Sequence, residues 1–155
     1  MCTEDKESIR SCRSKAMKLL EFSDKSEQQL RERLKEGGFP PFAVDDAIEY
    51  LKDLHYLDDR RFADSYIRAK AGQYSASELR ARLLEKGISR DDADAAVEAA
   101  GLDECAVIRR LFEKRYAGKD LTDPELYRKA FQYFGRKGFG YDNIKNTLTE
   151  IIQNS

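Results

Sequence analysis

Apolar residues recur three and four positions apart along most of the chain, the spacing that lines one face of an α-helix. Leu30 and Leu34, Leu79 and Leu83, and Ala130, Phe131 and Phe134 each form such a stripe. Every stripe runs out at a glycine followed by an apolar residue: Gly38-Phe39, Gly87-Ile88 and Gly138-Phe139. A helix stops at little cost there, because glycine accepts a positive φ and the next side chain folds back on the last turn. These glycines are punctuation, and no G-x-G-x-x-G or P-loop spacing accompanies them.

The segments around the stripes are copies of one another. SEQQLRERLKEGGF, Ser26 to Phe39, returns without gaps as SASELRARLLEKGI, Ser75 to Ile88. Ser26 matches Ser75, Arg31 and Arg33 match Arg80 and Arg82, and downstream Asp45, Ile48 and Glu49 match Asp94, Val97 and Glu98. A looser third copy, YRKAFQYFGRKGF from Tyr127 to Phe139, restores the Lys-Gly-aromatic ending and then Ile144 and Leu148. Ser26 with Gln29 and Ser75 with Glu78 read as capping boxes, and Asp123-Pro124 reads as a cap followed by proline at the first helical position. Each copy is therefore helix, tight turn, helix.

Two helices of about a dozen residues cannot hold together alone. The chain supplies a third before each pair, marked by Ile9, Cys12, Ala16 and Leu19, by Phe62, Ala63, Tyr66 and Ile67, and by Val107, Ile108, Leu111 and Phe112. The expectation is an all-α chain of three tandem three-helix, helix-turn-helix-like repeats, at residues 6–54, 57–101 and 102–155. At the first junction, in YLDDRRFADSY, Leu57 ends one unit, Asp58 caps the next helix, and Asp59 favours its positive N-terminus. Phe62, Tyr66 and Ile67 then point into the second core. Capping needs neither Arg61 nor Arg68, which share the opposite face and are left for a partner.

Composition agrees with small helical units: 155 residues are 37% charged and 41% hydrophobic, too little apolar material for a thick layered domain. A formal net charge of −1 gives no global pull toward nucleic acid or an anionic membrane. Charge is nevertheless uneven. From Arg60 to Arg90 eight lysines and arginines face three acids, and from Asp91 to Glu104 six acids stand unopposed. Such blocks are solvated helix faces or a basic stripe. Cys2, Cys12 and Cys105 are odd in number and lack CxxC spacing, so neither a zinc site nor a secreted disulfide framework is indicated. No apolar run is long enough for a membrane span or a signal-peptide core, which points to a soluble, cytoplasmic protein with no membrane partner.

Catalytic chemistry is not indicated. His55, the sole histidine, lies near a helix end and has no triad neighbours. Asp58 and Asp59 diverge as adjacent side chains on a helix, and no third ligand is spaced to join them. Cys105 falls at an apolar position beside Ala106. No enzyme activity, cofactor or metal is expected.

What remains is a basic face. Arg31 with Lys35, Arg82 with Lys86, and Lys129 with Tyr133 and Arg136 each share a helical side. By helical phase Arg61, Arg68, Arg80, Arg82 and Lys86 face solvent; with Arg31, Arg33, Lys129, Arg136 and Lys137 they make up the candidate contact set. Arginine on a rigid helix suits phosphates or carboxylates, which its planar fork binds bidentately.

At these residues the sequence resembles the RecX family of proteins that regulate the RecA recombinase. Tyr56-Leu57-Asp58-Asp59, Arg61-Phe62-Ala63 and Tyr66-Ile67-Arg68 are similar to that family's signature. Leu30-Arg31-Glu32-Arg33-Leu34 with Gly38-Phe39 resembles its first repeat, and Lys86-Gly87-Ile88 and Arg136-Lys137-Gly138-Phe139 resemble its second and third. The resemblance implies tandem three-helix repeats in an elongated, curved array that lies along the groove of a RecA filament on DNA. It further implies inhibition of RecA ATP hydrolysis, strand exchange and coprotease activity, with some direct binding of single- or double-stranded DNA, in recombination, DNA repair and the SOS response. A monomer is expected. Two features depart from the family: Phe22-Ser23-Asp24-Lys25 leaves one cation where an arginine-rich run is common, and Arg82 stands where an acid is common. Both place the main contact surface on the middle unit. The alternative is an independent DNA-binding protein of tandem helix-turn-helix-like units, against which the net charge of −1 counts.

Overall fold

The computed structural model describes residues 2–154. Among these there is no strand, and nine helices follow in order: α1 (Thr3–Phe22), α2 (Glu27–Glu36), α3 (Pro41–Asp53), α4 (Asp59–Lys70), α5 (Ala76–Glu85), α6 (Arg90–Ala100), α7 (Glu104–Tyr116), α8 (Pro124–Arg136) and α9 (Tyr141–Gln153). They fall into three successive groups of three, the expected all-α repeat.

Helix ends sit where local chemistry sets them. At Ser26 both halves of the capping box form: its hydroxyl accepts from the Gln29 N–H at 3.2 Å, and Gln29 Oε1 accepts from the Ser26 N–H at 3.1 Å. At Ser75 the amide half is present, with the Glu78 N–H donating at 3.1 Å, while the Glu78 carboxylate meets Arg82 at 3.3 Å. Asp123 accepts from the Glu125 N–H at 3.0 Å, with Pro124 beginning α8. At the other ends the amides of Phe39, Ile88 and Phe139 return to the carbonyls of Leu34, Leu83 and Phe134, the fold-back expected after each glycine.

The chain divides into two compact units, Met1–Ser65 with Leu83–Ala93, and Tyr66–Arg82 with Asp94–Ser155. In the first, Cys12, Ala16 and Leu19 of α1, Leu30 and Leu34 of α2, and Ala43, Val44, Ala47, Ile48 and Leu51 of α3 form one core, with Leu57 at its edge. Burial, followed by the nearby Asp46 carboxylate, pushes the Cys12 thiol up to about 11, so it packs as an inert apolar group. The start of α2 carries a second connection. The Ser26 hydroxyl, besides capping, donates to the Lys86 carbonyl, and the Glu27 N–H donates to Asp59 Oδ1 at 2.8 Å. Asp59 therefore serves a helix of the preceding repeat as well as the dipole of its own.

In the second unit the core comprises Val107, Ile108, Phe112, Leu121, Ala130, Phe134, Phe139, Ile144 and Leu148. The same connection recurs at the equivalent positions. The Ser75 hydroxyl donates to the Lys137 carbonyl at 2.7 Å, and the Ala76 N–H donates to Glu104 Oε2 at 2.9 Å. Neighbouring repeats are thus joined by a hydroxyl that also starts a helix and by a carboxylate that satisfies an otherwise orphaned amide.

The junction at residues 54–62 needs one correction. His55 lies beyond the end of α3, exposed and in the left-handed region at φ 62, where its conformation lets the amides of Tyr56 and Leu57 reach the Leu51 carbonyl. Asp58 caps α4 as expected, accepting from the Arg61 N–H at 3.1 Å. Ala63 and Ile67 are buried, but Phe62 and Tyr66 are only half-buried, because they flank the buried stripe instead of lying on its centre line. Asp58→Ala is expected to cost about 1 kcal/mol in urea unfolding through loss of the cap; no measurable cost would mean that the cap is dispensable.

Candidate functional site

Helical phase places a side chain on a face but does not say what a neighbouring helix presents there. Arg61, read as left for a partner, is exposed yet donates to the carbonyls of His55 and Tyr56 at 2.9 and 3.2 Å, closing the junction before α4. Arg80 is half-buried instead of solvent-facing, paired with Asp94 at 2.6 Å. Its equivalent Arg31 pairs with Asp45 at 2.6 Å and lies 3.7 Å from Glu27. Both are intra-repeat clamps between the second and third helices. Lys86 is half-buried, and its carbonyl receives Ser26. Arg33, Arg68, Lys129 and Arg136 are exposed.

Arg82 is also half-buried, and its guanidinium lies 3.9 Å from the centre of the Tyr74 ring. Hydrogen bonding to Tyr66, together with the nearby Tyr74 and Glu78, pushes its pKa further up despite some desolvation. The charge is permanent and its plane is fixed against an aromatic face. In the same unit Tyr133 gathers two cations, Arg115 at 4.3 Å and Lys137 at 5.1 Å from its ring centre. The Ser75–Lys137 hydrogen bond ties these groups together, since Tyr74 precedes Ser75 and Tyr133 lies one turn before Lys137. The sequence reading set Lys129 and Arg136 on the face of Tyr133, whereas the cations at its ring are Arg115 and Lys137. Arg115 was missed by sequence reasoning; the only signal was Lys114-Arg115-Tyr116 at the end of α7.

The acidic residues near the first junction have structural duties. Burial is the largest influence on Asp59 and raises its pKa, partly offset by the Glu27 N–H, with Glu27 and Asp92 raising it further. A carboxyl whose pKa is raised on folding favours the folded state at low pH, and that contribution is lost as pH rises through the folded pKa. Asp59→Asn keeps an acceptor for the Glu27 amide without the half-buried charge. Urea midpoints should show the variant gaining on the wild type as pH rises from about 4 to about 7. A variant less stable than wild type throughout that range would show that the charged hydrogen bond outweighs desolvation.

Three family models match the chain in order: the RecX first three-helix domain over residues 12–51, the second over 58–97 and the third over 103–148. A curated relative named regulatory protein RecX from Clostridium botulinum (strain Alaska E43 / Type E3) is 30% identical over 156 residues, covering 96% of this chain and 72% of that protein. Another of that name from Pseudomonas fluorescens is 27% identical, covering 88% of this chain and 89% of that protein. The crystal structure of RecX from Lactobacillus salivarius superimposes with a TM-score of 0.80 at 19% identity, over 96% of this chain and 99% of that one.

Proposed function

The chain belongs to the RecX family of regulatory proteins, and from that premise we propose that it binds the RecA filament on DNA and inhibits RecA ATP hydrolysis, strand exchange and coprotease activity. It acts by binding, as a monomer without a cofactor, and so modulates recombination and repair. The supporting observation is the Arg82–Tyr74 stack beside Arg115, Tyr133 and Lys137. A guanidinium already ordered against a ring loses little freedom when it engages a carboxylate or phosphate, so its binding enthalpy is less offset by entropy. Arg68, Lys129 and Arg136 extend the same basic unit. Arg61, Arg31 and Arg80, whose donors are engaged within the fold, contribute to shape instead.

Cations stacked on tyrosines also suit bare DNA, the second reading. Anisotropy with labelled single-stranded DNA, free or coated with RecA, separates the two. Tighter binding to filaments, with ATP hydrolysis falling in step with occupancy, supports the proposal. Equal or tighter binding to bare DNA with unchanged hydrolysis supports the alternative.

A further inference from the structure

The third repeat departs from the other two at one place on its surface. Counting back from the turn glycines Gly38, Gly87 and Gly138, Phe131 occupies the position of Arg31 and Arg80, and Lys145 that of Asp45 and Asp94. Where repeats one and two hold a neutral Arg–Asp clamp at 2.6 Å, repeat three has a ring and an unmatched cation. Arg128 likewise replaces Gln28 and Ser77, Tyr127 replaces Glu27 and Ala76, and Tyr141 replaces Pro41 and Arg90. The substitutions together build an aromatic patch and add positive charge.

Geometry makes these residues one surface. Phe131 lies 5.1 Å from Tyr141 and 6.1 Å from Tyr127 between ring centres. Tyr127, Phe131, Tyr141, Arg128, Gln132 and Lys145 line a groove of about 330 Å³. Tyr127 and Phe131 lean on the repeat's core, whereas Tyr141 is 64% exposed. The first position of α9 thus carries a ring that folding does not require. Arg128 meets Glu125 at 3.6 Å, with both side chains more than half exposed, and Asp142 is the acid next to Tyr141.

We propose that this groove is a nucleobase-stacking subsite for single-stranded nucleic acid, with an unpaired base against Tyr141 and Phe131 and the flanking phosphates at Arg128 and Lys145. Aromatic rings bordered by cations are what an unpaired strand needs, since each base offers a π-face and each linkage a negative charge. An acidic peptide would use the cations but gain little from three rings. The inference rests on the proposed function only in taking nucleic acid as ligand, and the test contains no RecA, so the two can fail separately.

The chain has no tryptophan, so Tyr141→Trp introduces a single reporter. Its fluorescence should be quenched by an oligothymidylate about sixteen nucleotides long, the upper end of typical site sizes, and not by an abasic oligonucleotide of the same length and charge. Tyr141→Ala, with unchanged helical circular dichroism, should bind the oligothymidylate about tenfold more weakly, as expected for one lost stacking contact. Its weak binding of the abasic strand should stay as in wild type, and the tryptophan variant should keep wild-type affinity for thymidylate. Equal losses on both strands, or no loss on either, would overturn the subsite. Quenching by polyglutamate and not by thymidylate would overturn it too and assign the groove to a protein partner.

Discussion

Gly87→Ala is expected to destabilise the protein by about 2–5 kcal/mol, combining about 1–2 kcal/mol for a left-handed side chain with about 1–3 kcal/mol for overpacking. Gly38→Ala should cost only the first of these. Both glycines have almost the same backbone, φ 89 and φ 87, so the strain is shared. They differ in what lies beside them. A Cβ at Gly87 would collide with the Cβ of Gln28 in the first turn of α2, whereas at Gly38 nothing lies within 4 Å. The Gln28 Cβ is fixed to helix backbone and cannot swing away, so either the turn or α2 must move. Movement would stretch the Ser26–Lys86 hydrogen bond as well. Urea unfolding followed by circular dichroism measures both variants, and equal losses would show that the contact yields without cost.

Reversing Arg82, Arg115 and Lys137 together to glutamate should weaken inhibition of RecA ATP hydrolysis by at least about tenfold, because breaking charge pairs at an interface commonly costs about 2–5 kcal/mol. Folding should suffer less: the variant loses the cation–ring contacts at Tyr74 and Tyr133 and gains a repulsion between Glu78 and the residue at 82 one turn away. Arg61→Ala makes the opposite prediction: it loses two hydrogen bonds that close the junction, lowering stability while leaving inhibition near wild type. A stably folded triple variant that inhibits normally would place the contact surface elsewhere, with Arg68, Lys129 and Arg136 the next exposed cations to reverse. Raising salt should weaken inhibition by wild type more than by the triple variant.

Sequence periodicity revealed the local architecture because helix starts, helix stops and buried stripes depend on residues within a few positions. Ser26, Asp58, Asp123 and the turn glycines act as their chemistry predicts. The partners of exposed-phase arginines were not legible, since they come from other helices. Arg80 reaches Asp94 on α6, Arg31 reaches Asp45 on α3, and Arg115 of α7 finds Tyr133 on α8. The matched pairs Arg31/Arg80 and Asp45/Asp94 did carry a hint: opposite charges recurring at a fixed offset in two copies signal one contact used twice. The double duty of Asp59 and Glu104 left no such trace, because a carboxylate in a first turn is already accounted for by its own helix dipole.

The serine hydroxyls make the middle repeat a connector that can be multiplied. It presents an acceptor, the Lys86 carbonyl, to the repeat before it and a donor, Ser75, to the repeat after it. A tandem duplication of this segment would bring both halves of the joint with each copy, so longer arrays are accessible by gene duplication without inventing a new interface. Aspartate, ordinarily an equal helix cap, has no proton to give when ionised. An array lengthened with Ser75→Asp copies would start its helices normally yet fail to lock them to their neighbours, so helix content and assembly would come apart in one protein.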